Sequence, residues 1–418
     1  MAAHLDPVGR RRRITLIGLA LVTVLVLAGA YVAEDAEVAE DRVATAADAR
    51  TPSTGVLDGE EETTATEAPT TTTTRPPVIA ATTVMQSINR ITGDISPKSV
   101  VASPAGHVFA QNMMYTHTVT AYAPDGTLTA TIDDSVDLRA LGVPDHPGVS
   151  RGAPVEAAFT SDGRHAYVSN YSMYGAGFGP EGADSCAPDS GYDDSFTYRV
   201  DTETMAIDQV IQVGAVPEYV AVTPDDRKVL VTNWCTYDLS IIDVASGREE
   251  ARVPIGPYPR GIVVSPDSRT AYVAVMGAGM IVRVDLTINQ VSTLVRSGGS
   301  PRHLLISPDG RSLYVSHNGD STVASVDAAT GAITHRVTTG QQPRSMAIST
   351  DGSAIYVANY ESSTVTKLRA DDLGKLDEVG TDHHPIGITY EPTTGSVWVA
   401  CYGGSILVFS DTTPRPPG

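Results

Sequence analysis

The chain has 418 residues, a formal net charge of −20 and a pI near 4.8. That balance excludes a general nucleic-acid coat, because neutralising phosphates takes clustered Lys and Arg. The plentiful Gly (37) and Pro (27) suit a turn-rich all-β protein.

The N-terminus is a different material. Four arginines, Arg10–Arg13, end a basic segment 1–13 and precede Ile14–Ala33, twenty residues without a charge. At ~1.5 Å per residue this run spans one hydrocarbon core, so it predicts a transmembrane helix. The preceding basic cluster sets the N-terminus in the cytoplasm and the rest outside. A cleaved signal peptide is the alternative, with Ala28-Gly29-Ala30 as its cleavage site, giving a secreted protein. Residues 34–79 have no hydrophobic periodicity and become Thr/Pro-rich, which predicts a disordered tether acting as a spacer.

A repeat begins beyond residue 80. Pro217, Pro259, Pro301, Pro343 and Pro385 are each 42 residues apart, and Pro154 and Pro97 extend the series with extra residues between them. A period in the forties with strand-like content is the mark of a β-propeller. Each unit reads as an apolar inner strand after the Pro, a turn such as "SPDG" (307–310), a second strand such as "IYVAN" (355–359), and two further strands. The last unit lacks a fourth strand, and Val84–Ile91 is a strand without a unit. The expected domain, 80–411, is therefore a seven-bladed β-propeller of four-stranded blades closed by the N-terminal strand, with 412–418 as a Pro-rich tail.

"YVSN", "LVTN" and "IYVAN", with "SPDG" before and "IID" after, resemble the YVTN-repeat β-propellers. The resemblance covers about 80–410. It implies an exported or envelope-associated propeller, with lactonase-like and cytochrome-like relatives. The final Asn is replaced by Val275, His317 and Cys401 in three blades, so no mechanism can need seven of them.

The topology brings the Pro residues, the ends of the second strands and the blade connections to one face. Both insertions, 133–152 and 172–195, lie there, which makes that face the expected binding surface. Lys98, Arg260, Arg302 and Arg344 each follow a repeat Pro and point to anion binding or to inter-blade bridges. Tyr171, Trp234, Tyr360 and Tyr402 each follow a second strand and point to stacking walls or inter-blade packing. Cys186 and Cys235 project from adjacent blades on this face and predict a disulfide; Cys401 reads as a buried free thiol.

No resident metal or other cofactor is expected. "DSGYDD" (189–194) is oxygen-rich enough for Ca²⁺ but lacks an EF-hand pattern. The leading expectation is a membrane-tethered extracytoplasmic module that binds an envelope component or protein partner through this face. The alternative is a lactonase-like hydrolase working at the channel mouth, with Glu156, Glu218 and His384 as its candidate acid/base groups. Single-stranded nucleic-acid binding by the Arg and Tyr positions conflicts with the acidity of the chain.

Overall fold

The computed structural model of the protein describes residues 79–146, 148–171 and 185–415. The expected membrane helix, 14–33, and all but the last residue of the expected tether lie outside them. Among the described residues no helix is long and apolar enough to cross a membrane.

Seven four-stranded antiparallel sheets form the ring. Their inner strands are Ser99–Ala102, Pro154–Phe159, Pro217–Val222, Pro259–Val264, Pro301–Ile306, Pro343–Ile348 and Pro385–Glu391, and each contacts the next, the seventh meeting the first. Thr83–Thr92 pairs antiparallel with Ser405–Pro414 and supplies the outer strand of blade seven. This closure follows the repeat spacing, but its last strand is longer than expected. Thr413 and Pro414 pair with Val84 and Thr83, so the strand occupies the first residues of the expected Pro-rich tail.

Local chemistry shapes each blade. In the "PDG" turns the Asp side chain closes the bend. Asp309 accepts from the Arg311 amide at 3.1 Å and from Ser307 Oγ at 2.6 Å, while Gly310 takes φ 73°. The Asn ending a second strand ties it to the third. Asn359 Nδ2 donates to Thr364 and Thr366 Oγ1, and Asn233 Nδ2 to Asp238 Oδ1 and Ser240 Oγ. The recurring Asn is thus a cross-strand clamp.

Apolar clusters fill the spaces between blades. One joins Leu230 and Ile241 of blade three to Val264, Val273 and Val282 of blade four, all buried. Each such side chain contributes roughly 1.5–3 kcal/mol of burial. The first insertion folds into a hairpin, Ser135–Asp137 with Val149–Arg151, between blades one and two. Of the second insertion, residues 172–184 lie outside the described residues. Its end is held by the expected disulfide, Cys186–Cys235, with Cα atoms 5.3 Å apart.

Candidate functional site

Five of the seven blades enter the channel through the same backbone device. The residue before the Pro is left-handed in five blades: Val216, Tyr258, Ser300, Gln342 and His384 have φ between 50° and 57°. Its carbonyl accepts the amide of the residue after the second strand, as Gln342 does from Tyr360 (3.1 Å) and Val216 from Trp234 (2.8 Å). This contact sets the aromatic position beside the residue that follows a repeat Pro.

The expected basic and aromatic sets are therefore parts of one layer. The Arg260 guanidinium lies 4.2 Å from the Trp234 ring and Arg344 lies 3.7 Å from Tyr360. Lys98 Nζ stands 5.9 Å from Tyr402. Arg260 Nη1 donates to Glu218 Oε2 at 2.6 Å, and both residues are only 2% exposed. Arg302 and Arg344 are buried as well. Lys98, Glu156, Glu218, Arg260 and Arg302 surround about 10 Å³ of free space, room for one water. Among the described residues, this layer is a packed plug.

Tyr171 lies outside the plug, buried with Met113, Trp234 and the disulfide in an apolar cluster. His384 also lies apart from that space. It stacks on Tyr360 at 4.0 Å and sits 3.8 Å from a Glu361 carboxylate oxygen. In the oxygen-rich loop, Asp194 is engaged by Arg252 at 3.0 Å. Cys401 is a buried free thiol, and burial pushes it up to about 12.

The next layer has a different character. Two residues after each Pro stand Ser99, Glu156, Tyr219, Gly261, His303, Ser345 and Gly387. The glycines let neighbouring strands approach: a Cβ on Gly387 would stand 2.6 Å from the Ser99 Cα, and one on Gly261 2.9 Å from the Arg302 carbonyl oxygen. A cavity of about 230 Å³ is lined by Glu156, Tyr219 and His303 from this layer and by Val101, Val263 and Leu305 two residues further on. Those three apolar residues are half-buried, whereas Arg260, Arg302 and Arg344 above them are buried. The accessible channel lies on the "PDG" side of the plug.

Two groups in this cavity are held neutral. Burial pushes the Glu156 carboxyl up to about 8, reinforced by the charge of Glu218 and moderated by the Ala157 amide, which donates to it at 3.3 Å. Burial pulls His303 down to about 3, helped by the charge of Arg302. His303 Nδ1 has no hydrogen-bond partner among the described residues. The Tyr219 ring meets His303 edge-on at 5.4 Å, and burial raises its hydroxyl above the ordinary range. Near neutral pH the cavity thus offers a carboxylic acid that can donate a proton and an imidazole nitrogen that can accept a hydrogen bond.

Of the expected acid/base candidates, Glu156 and Glu218 come together, with Glu156 reaching the larger cavity and Glu218 locked to Arg260. No sequence motif singles out Tyr219 or His303 as an acid/base group. A register shift after the Pro, between Pro301 and His303 for example, breaks the alternation that would say which residues face the channel. The available signal was a column of polar or small residues inside otherwise apolar strands.

No curated protein matches the sequence. Among solved structures, Kuenenia stuttgartiensis hydrazine synthase is similar in fold, with 19% identity and a TM-score of 0.59 over 76% of this chain and 96% of that one. The description "Lactonase, 7-bladed beta-propeller" matches residues 92–389, most of the ring. On that match the chain belongs to the seven-bladed β-propeller lactonase family.

Proposed function

We propose that this protein is an extracytoplasmic propeller that takes a small neutral molecule into its central channel and hydrolyses a cyclic ester there. The reading is carried by one observation: the Glu156 carboxyl, pushed up to about 8, and the unpartnered, neutral His303 line the same 230 Å³ cavity. In this role Glu156 donates a proton to the departing ring oxygen. Water adds to the ester carbon as the ring C–O bond breaks, its proton returns to the Glu156 carboxylate, and the His303 imidazole, packed against Tyr219, borders the reacting water. Membership of the lactonase family supports the reaction class.

The Cys186–Cys235 bridge supports export to an oxidising compartment, in line with an anchor at 14–33 behind Arg10–Arg13. The YVTN-like motifs remain our finer reading of the repeat. The test is proton release from a panel of lactones by the purified full-length chain. Glu156→Gln and His303→Asn should each lower turnover ~100-fold or more. If no lactone is consumed, or if both variants match the parent, the hydrolase reading fails.

A binding module for an envelope component or protein partner is the second reading. It is favoured by Tyr115 and Val149, which are 68% and 75% exposed at the blade-one loop and the first insertion. Pull-down by the parent chain, weakened by Tyr115→Ser with Val149→Ser, would support it.

A further inference from the structure

The 230 Å³ cavity has two levels of different chemistry. The upper level, against the plug, carries the polar groups Glu156, Tyr219 and His303. Two residues further along the inner strands stand Val101, Val263 and Leu305, each half-buried and each on the cavity wall. At ~3.3 Å per residue the levels are ~6.6 Å apart. Thr389 joins the lower level, and its hydroxyl is already engaged, accepting from the Ala102 amide at 3.1 Å.

Among the described residues no Lys or Arg lines this cavity. Lys98, Arg260 and Arg302 border the separate space of about 10 Å³ within the plug. With that end closed, a molecule reaches Glu156 from the "PDG" side and must pass the apolar level on its way. At about 30 Å³ per water, the cavity seats roughly eight water-sized groups, enough for a small lactone ring and a short alkyl chain.

We propose that the substrate of this site is an uncharged lactone with an aliphatic arm, its ring at Glu156 and His303 and its arm on Val101, Val263 and Leu305. Phosphorylated and carboxylated lactones are rejected. The placing of the ring rests on the hydrolase reading; the placing of the arm rests on the chemistry of the wall. Methylenes laid on the three apolar side chains leave water together with them, and each should tighten binding ~3-fold. An anionic arm would lose its hydration at the same level and find no counter-charge on the wall.

The test uses γ-lactams, in which an N–H replaces the ring oxygen of the ester, carrying methyl to butyl arms or a phosphonate-tipped arm. Calorimetric titration of the full-length chain reads their binding without turnover, and proton release follows the matching lactones. Kd should fall ~3-fold per methylene, and kcat/KM should rise in the same order. The phosphonate lactam should bind ~30-fold more weakly than the alkyl lactam of equal length. Leu305→Arg should erase the length dependence and favour the phosphonate. Val101→Thr with Val263→Thr, close to the parent in volume, should reduce the gain per methylene even if the arginine variant does not fold. Lactones hydrolysed without regard to arm length, or a phosphonate lactam that binds best, would overturn the proposal and leave the hydrolase reading standing. Length-dependent lactam binding with no lactone consumed would do the reverse. Neither binding nor turnover removes both.

Discussion

At the seam between blades six and seven, Lys367 and Asp411 lose all contact with water and answer each other within 2.7 Å. In the channel, Glu156 is enclosed with another acid, Glu218, as neighbour, and Glu218 is already held by Arg260. The first arrangement satisfies every charge it buries and serves closure. The second leaves a carboxyl with too little compensation, so the group stays protonated at neutral pH. Burial alone does not separate structural from functional ionisable groups; the partner supplied with the burial does.

Four measurements bear on that contrast. Lys367→Ala strips Asp411 of its partner and should lower stability by ~3–5 kcal/mol in a denaturant melt. A smaller loss would mean that the seam tolerates an unpaired acid as the channel does. Replacing Cys186 and Cys235 by Ala opens a bridge with a sequence separation of 49 and should cost ~2–4 kcal/mol, read from the same melts.

The pH dependence is expected to have two arms. The folded value of Glu156, about 8, is above its ordinary 4.5. Its favourable contribution is complete below about 4.5 and is lost as pH rises through about 8. The change should be on the order of 2 kcal/mol once channel water is allowed for, and Glu156→Gln should flatten it. His303 and His317 are both pulled to about 3 from 6.5, by burial first, so their contribution is present above 6.5 and lost as pH falls toward 3. A Tm–pH profile of the parent and the Glu156→Gln variant checks both arms.

The smallest effect should come from His317→Asn. His317 is buried with both ring nitrogens lacking hydrogen-bond partners among the described residues, at the position where Asn359 clamps Thr364 and Thr366. Restoring Asn should raise stability by ~1 kcal/mol, with Thr322 as the new acceptor. No gain in the melt would mean that Asn at this position needs a second hydroxyl to be useful.

Much of the ring was legible because its signals are local. The Pro spacing, the Asp-Gly turns and the unpaired strand at 84–91 each identify a backbone requirement within a few residues. The disulfide was legible too, since two cysteines on adjacent blades share a face. The channel was less so. Arg260, Arg344, Trp234 and Tyr360 read as a possible binding ring, yet they stack on one another and close that end. The cavity belongs to the layer beneath, where a bulge hides the facing of Glu156, Tyr219 and His303.

The sequence by itself determined the number of blades, the order of strands and the place of closure. A repeated local pattern admits few ways to bury its apolar faces. Only the tertiary structure decided which charges meet. The approach of Lys367 to Asp411, and of Arg260 to Glu218, depends on contacts between blades. So does the enclosure that holds Glu156 and His303 neutral. Burial and pairing are properties of the assembled ring, and no single repeat contains them.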